Sequence, residues 1–592
     1  MNSKKLGLSL CALAGFSASL MAGRQPNVVL ILTDDQGWGD IGINGNEYIR
    51  TPTINSLYRQ SVVMDRFMVS PLSAPTRASI LTGRYHLRAG VSSVQSGLEN
   101  MNPEETTIAE LFRDAGYATG CFGKWHSGTY YPYTPNGQGF DEFLGFCCGH
   151  WANYFNPVLQ VNEDIIVGEG YITDIFTDAA ISFIRSHKDE PFFCYVPYNA
   201  PHSPFQVPDE YYDHYKNIPA ASEADQKMLA SIYGMVECVD YNMSRILSEL
   251  DTLGLREDTI VIYMSDNGPV HVTRYNGGML GGKGSVHEGG VRVPCFFNWE
   301  GHLKHGIVTD TYAHIDILPT LMDLCGIENY STAFPLDGVS MKDALFGQAP
   351  ARTDERLIFT HRRQKDMQPF VGACRTDRYR LEVYKDDVKL YDMVTDPAQH
   401  FDIYDDNRGI GDRLYAEYMS WYGEASKGVS SGMRAVPVGY RQAPQVRIPA
   451  PEGRMDGALK CYGYPNQNWV NHFMSKDDCL HFILDVVTSG KYAVSIEYAN
   501  ALDVRDAKVV CRCDGKTVRQ NHLPQFLTEF RYSPDRYPRG EAPDMTWSRQ
   551  KVGDFYLKEG EHTLDVYVTG ITDRDAVRIK TVLVEGHLTP AS

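Results

Sequence analysis

The sequence predicts an α/β catalytic unit on a largely parallel, helix-covered sheet, then a smaller strand-rich α+β unit, then an accessory β-sandwich. Three observations carry this. Short, almost wholly apolar runs recur at 28–33, 117–122, 192–197, 259–265 and 293–299, separated by stretches with helical spacing. Runs that are apolar on both faces are those of parallel strands buried under helices. After Leu336-Asp337-Gly338 the spacing shortens to strand-like segments, and a Gly/Ser/Pro-rich passage at 428–451 precedes a region of alternating strands.

Taken in order, the chain opens with Lys4-Lys5 and an apolar run to Ala22. That run is short for a membrane span and has the form of a secretory signal peptide. Export to the periplasm or cell surface is expected, with residues 1–22 removed. Cys11 follows Leu10, a poor context for lipid attachment. The catalytic unit is assigned to 23–340. Within it Thr107 and Glu110 form a capping box for a helix ending at Gly116, and a long helix is expected over 225–250, closed by Leu253-Gly254. Residues 341–427 form the second unit, with strands at 357–360, 379–384 and 389–391. Residues 428–451 read as a linker. Residues 452–592 form the sandwich, with strands at 491–498, 562–569 and 577–584.

At 592 residues the chain exceeds what one core supports. Its net charge of −18 argues against nucleic acid and anionic membranes as partners. The 13 cysteines show no CxxC pair and no zinc spacing, and read as buried small hydrophobes with room for one or two disulfides.

Chemistry-bearing residues cluster where strands end. Asp34-Asp35 follows the first apolar run and Asp266-Asn267 follows the fourth. Carboxylate and amide oxygens without a histidine suit a hard cation, Ca²⁺ or Mg²⁺ and not Zn²⁺, although Asp before Gly also serves turns. Ser73 stands where it could cap a helix starting near Ala74, with Pro75 in the first turn. Such a helix start favours an anion. Lys124 and His126 lie in GKWHSG, His202 in NAPHSPF and Lys283 in GGKGSVHEGG.

The segment SAPTRASILTGR, residues 73–84, resembles the one by which formylglycine-dependent (type I) sulfatases make their catalytic aldehyde. There a Cys or Ser, followed two residues on by Pro and four on by Arg, is oxidised to formylglycine, and Leu/Met-Thr-Gly completes the pattern. With the Lys124, His202 and Lys283 segments in the same order, residues 25–425 are identified as similar to the Ser type of that family, which includes bacterial carbohydrate sulfatases. The resemblance implies an alkaline-phosphatase-like fold. It implies one divalent ion, calcium by preference, held by Asp34, Asp35, Asp266, Asn267 and the side chain at position 73. It implies that Ser73 becomes formylglycine through a radical maturase, that Arg77 orients the aldehyde hydrate, and that Lys124 and Lys283 hold the sulfate. His202 would protonate the leaving sugar oxygen. One hydroxyl of the hydrate would attack sulfur to give a covalent sulfo-enzyme, and His126 would deprotonate the second hydroxyl, which expels sulfate. The implied substrate is a sulfated carbohydrate, with galactose or N-acetylgalactosamine sulfate as first expectation, and His150 and Trp151 are expected near the sugar. The chain departs from the family at GFDEFLGFCCGH, where Gly149 stands in place of an ester-binding serine. Two other readings stay open: a phosphodiester or phosphonate monoester hydrolase of the same superfamily, and a non-catalytic carbohydrate-binding protein.

Overall fold

The computed structural model describes residues 25–587 except 271–272, 349–354, 430–432, 464–467, 501–505, 572 and 574–575. The expected signal segment therefore lies outside the described residues. Among the described residues no helix is long and apolar enough to cross a membrane.

The large unit is an 11-stranded sheet whose centre runs Thr259–Ser265, Asn27–Thr33, Phe192–Pro197, Ala118–Lys124 and Glu142–Phe146, each parallel to its neighbours. The first strand shows why its sequence is apolar throughout. Val28, Leu30 and Leu32 enter one hydrophobic core, while Val29 and Ile31 enter the core on the opposite face. Helices Ser73–Thr82, Ile108–Asp114 and Ile317–Leu324 cover the first face, and Pro52–Arg59, Ile172–Ser186 and Glu223–Thr252 cover the second. The capping box at Thr107 and Glu110 is present with both reciprocal bonds.

One expected strand differs. The run at 293–299 splits into Arg292–Val293 and Cys295–Asn298, and the latter pairs antiparallel to Thr259–Ser265. After Ser265 the chain stays at the carboxyl edge of the sheet, with only the short helix Glu288–Val291. Without a crossover to the opposite edge the next strand must run back.

The second unit is a four-stranded antiparallel meander, Ile358–His361, Gly372–Arg375, Tyr379–Val383 and Val388–Asp392, covered by helix Arg408–Ala425. Met68, Tyr85 and Ile315 of the large unit share its core, so the two are packed as one body. Beyond them two six-stranded sheets face each other across a common core. This sandwich starts earlier in the chain than its composition suggests. Val436–Val438 pairs with Cys479–Val486, and Gln445–Pro449 pairs with Val577–His587, so much of the expected 428–451 linker is strand. Three- and five-residue strands among Pro and Gly are too short to display a period.

The sandwich is docked on the catalytic unit. Tyr130 and Tyr133 enter its core, and Arg434 donates to the carbonyls of Asn100 at 2.7 Å and Gly90 at 2.6 Å. A long loop ahead of strand Ser548–Leu557 reaches further. Arg539 donates to Ala152 O at 2.6 Å, Asn153 donates to Tyr532 O at 3.0 Å, and Ser203 donates to the Glu541 carboxylate. The twelve cysteines among the described residues are all free and eleven of them are buried, as expected of small hydrophobes, and the room left for one or two disulfides is not used there.

Candidate active site

Parallel register aligns the acidic pairs. Thr33 lies opposite Ser265 and Leu32 opposite Pro197, so Asp34-Asp35, Asp266-Asn267 and the loop to His202 leave the same carboxyl edge. Lys124 ends the neighbouring strand. Gly123 before it has φ +145, and a Cβ there would stand 2.1 Å from Pro197 O, so only glycine permits this approach.

Ser73 is the first residue of its helix, with Leu72 in the capping position, so the expected capping role is not the one it plays. Its Oγ instead donates to Asp266 Oδ2 at 2.5 Å and accepts from Arg77 Nε at 2.9 Å. The Ser-x-Pro-x-Arg spacing is thus the spacing of two side chains one helical turn apart. Arg77, fully buried, also donates to Asp266 at 2.9 Å and to the Lys124 carbonyl at 2.8 Å.

The remaining groups close around this pair. Lys124 Nζ donates to Asp34 Oδ2 at 2.6 Å, and Lys283 Nζ lies 2.7 Å from Asp35 Oδ1. Asn267 donates to Asp35 Oδ1 at 2.8 Å, and Asp35 N donates to Asp266 Oδ1 at 3.1 Å. His202 Nδ1 donates to Ser203 O at 2.7 Å, leaving Nε2 3.7 Å from Asp35 Oδ2. His126 Nε2 donates to Val94 O at 2.9 Å, so Nδ1 keeps its lone pair, buried and without a hydrogen-bond partner. Asp35 and His126 both adopt left-handed backbone, with φ +64 and +59. Strain of this kind costs on the order of 1–3 kcal/mol per residue and persists where surroundings over-determine it.

Three carboxylates face three cations, Arg77, Lys124 and Lys283, and their charges cancel only when all six side chains are ionised. Burial, followed by the repulsion of Asp266 and Asp35, pushes the Asp34 carboxyl up to about 8 against the pull of Lys124. Lys283, with the hydrogen bond from Asn267, holds Asp35 well below the usual carboxylate range despite its burial. Burial is also the main reason that His126 and His202 sit well below their ordinary values, with Lys124 deepening the first shift and Lys283 the second. Both imidazoles are neutral at pH 7 in this arrangement.

The donor set fits a hard cation. Asp34 Oδ1 and Asn267 Oδ1 are buried oxygens without hydrogen-bond partners, a condition costing on the order of 1–3 kcal/mol each. Asp34, Asp35 and His202 also bring ligand atoms within 4.8 Å of one another. The two orphaned oxygens make the oxygen-rich side, through Asn267, the better match to calcium. A divalent ion would bring Asp34 down to its ionised form and still leave the site positive, a local charge that suits an anionic ligand in a protein of net charge −18.

Of the expected sugar contacts, His150 lies parallel to His202 with ring centroids 6.3 Å apart, and Trp151 stacks on Phe146 at 4.9 Å. Arg274 is buried. It pairs with Asp40 at 3.2 Å and donates to the Asp35 carbonyl, which braces the left-handed turn. Of the neighbouring 361–363 loop, Arg362 donates to Gly284 O at 2.6 Å and steadies the lysine turn. Sequence reading missed Asp40, Tyr154, whose hydroxyl donates to His202 O at 3.0 Å and Ser203 O at 2.7 Å, and Glu541. An Asp three residues after a Gly, in a strand-to-loop turn, is a faint signal for Asp40. Glu541 has none, standing 338 residues from its partner.

Comparison with known proteins gives the same picture. A model of the sulfatase family matches residues 26–327, and one described as the C-terminal region of N-sulphoglucosamine sulphohydrolase matches residues 281–415. Human arylsulfatase A is 29% identical over 437 residues, covering 67% of this chain and 82% of that protein. Mouse N-acetylgalactosamine-6-sulfatase is 30% identical over 409 residues, covering 63% and 75%. The crystal structure of Ps i-CgsB in complex with k-i-k-neocarrahexaose superposes with a TM-score of 0.61 and 29% identity, covering 68% of this chain and 94% of that chain.

Proposed function

Since the chain belongs to the sulfatase family and is a sulfuric ester hydrolase, we propose that it removes sulfate from carbohydrates, galactose or N-acetylgalactosamine sulfate first among them, using a formylglycine made from Ser73. The observation that carries this reading is the convergence of Asp34, Asp35, Asp266, Asn267, Arg77, Lys124 and Lys283 on the buried Ser73 hydroxyl. The N-acetylgalactosamine-6-sulfatase similarity supports the sugar. Export and maturation by a radical enzyme belong to the same proposal.

Asp34, Asp35, Asp266 and Asn267 would hold calcium beside residue 73. The ion would acidify the aldehyde hydrate, whose two hydroxyls supply a nucleophile for sulfur and an internal route for sulfate to leave. Lys124 and Lys283 neutralise the sulfate oxygens, and they are freed to do so when the carboxylates have another cation. Arg77 fixes the side chain at position 73 through its Nε. His126 Nδ1, an unprotonated nitrogen in a cationic pocket, is the base. His202 is held by its Nδ1 bond to Ser203 O, so Nε2 points to where the leaving oxygen must sit. An incoming sulfate offsets the lysine charges that depress its pKa, so His202 takes up a proton as substrate binds and can deliver it to the sugar.

The test is sulfate release from 3-, 4- and 6-sulfated galactose and N-acetylgalactosamine, alongside one phosphodiester, by protein whose residue 73 is verified as aldehyde by peptide mass. Selective sulfate release is expected. Hydrolysis of the phosphodiester alone would overturn the reading, and binding of sugars without turnover would move it to the non-catalytic one.

His202→Gln separates the proton donor from the rest. Turnover of sulfated sugars should fall by roughly 10²–10⁴, while an aryl sulfate with a good leaving group should lose far less. Equal losses on both would remove His202 from that role.

A further inference from the structure

Between the catalytic unit and the sandwich lies a cavity of about 450 Å³. None of Asp34, Asp35, Ser73, Lys124, His126, His202 or Asp266 lines it, but Cys147, which does, accepts from the His126 amide at 3.1 Å. Trp151 lines the cavity, and the preceding His150 lies parallel to the His202 ring. Ser96 lines it as well, two residues beyond the carbonyl of Val94 that anchors His126. Its opposite wall comes from the sandwich, through Arg447, Asn468, Arg531, Trp547 and Lys580. The family matches end at residue 415, so this wall lies outside the matched region.

The chemistry of the wall is specific. Trp151 and Trp547 offer aromatic surface of the kind that packs on the apolar face of a pyranose. Asn468 is buried with neither end of its amide hydrogen-bonded, and the Trp547 indole N–H is likewise without a partner. Both residues line the cavity, and their hydrogen-bonding capacity is unspent within the protein. Charges elsewhere cancel: Arg447 pairs with Glu497 at 2.6 Å and Arg531 with Asp544 at 3.3 Å. Glu452 accepts from Thr129 at 3.3 Å and Tyr130 at 3.1 Å, and burial, reinforced by Glu99, pushes it up to about 8, so it is largely neutral at pH 7. Lys580 is the exception. Its ammonium stands 5.5 Å from the Trp547 ring and has no ion pair among the described residues. Burial pulls its pKa down against the weaker pull of Asp544 and Glu497, and an anion beside it would restore the charge.

We propose that this interdomain cavity is a second sugar subsite, binding a residue that bears an acidic group, a carboxylate or a further sulfate, next to the sugar whose ester is cleaved. The substrate is then an anionic oligosaccharide instead of a monosaccharide, and the sandwich is part of the substrate cleft. The volume is within the roughly 300–1,000 Å³ of small-molecule sites. The substrate identity rests on the sulfatase reading, whereas binding in the cavity does not.

The experiment compares wild type with Lys580→Gln and Trp547→Ala. Calorimetry uses a chondroitin sulfate hexasaccharide and neutral chitohexaose, and kinetics use the same hexasaccharide and sulfated N-acetylgalactosamine. Hexasaccharide affinity is expected to fall at least tenfold in each variant, with wild type preferring it to chitohexaose. Where sulfate is released, the ratio of kcat/KM for hexasaccharide to that for the monosaccharide should fall by a similar factor. Equal hexasaccharide affinity in wild type and Lys580→Gln would overturn the proposal even if Trp547→Ala binds poorly, because that variant alone could reflect lost packing. If wild type releases no sulfate from either substrate, the sulfatase reading fails and the calorimetric comparison still decides the cavity.

Discussion

Ser73→Ala is expected to abolish sulfate release, by about 10⁴-fold or more, while leaving a folded protein. The loss should be near total because no neighbouring group can substitute: Arg77 and Lys124 are cations, and Asp266 is engaged by Arg77 at 2.9 Å. The structural cost should be small. Removing the hydroxyl takes one acceptor from Arg77 Nε and one donor from Asp266, each of which keeps its bond to the other, so about 1–2 kcal/mol is at stake. Steady-state assay beside a thermal melt checks both parts. Retained activity would remove residue 73 from the chemistry, and loss of the cooperative melt would show that the hydroxyl is structural first.

Asp266→Ala should fail in two ways at once. Its carboxylate accepts from Ser73, from Arg77 and from the Asp35 amide, so truncation strands a fully buried guanidinium, a change worth about 3–5 kcal/mol of stability. It also removes one oxygen from the set around Asp34 and Asn267, and calcium content measured by elemental mass spectrometry should fall with activity. Asp266→Asn keeps the shape and separates the two effects, with a smaller stability loss and a comparable metal loss. Unchanged metal content in both variants would take Asp266 off the ligand set.

Much of this was legible in the sequence, for a physical reason. Parallel strands buried on both faces must be apolar, so runs such as 192–197 announce themselves, and their ends mark where polar residues become possible. The run at 293–299 misled because apolarity does not encode direction. The active-site core was legible because its chemistry needs particular side chains at local spacings, Ser73 and Arg77 being four residues apart on one helix. The braces were not. Arg274, in a stretch without apolar periodicity, is a buried counterion of Asp40, while Glu541 and the cavity wall depend on docking between distant segments, which leaves no local pattern.

The bond from Ser73 to Asp266 spans 193 residues of chain. At a synthesis rate of about 5–20 residues per second, the partner that buries Ser73 does not exist until roughly 10–40 s after the serine has been made. On the proposed formylglycine reading, a modifying enzyme that must reach this hydroxyl would work against a clock set by the ribosome and by any holdase that delays folding. Slower translation between positions 73 and 266 should raise the fraction of molecules converted, without any change in sequence.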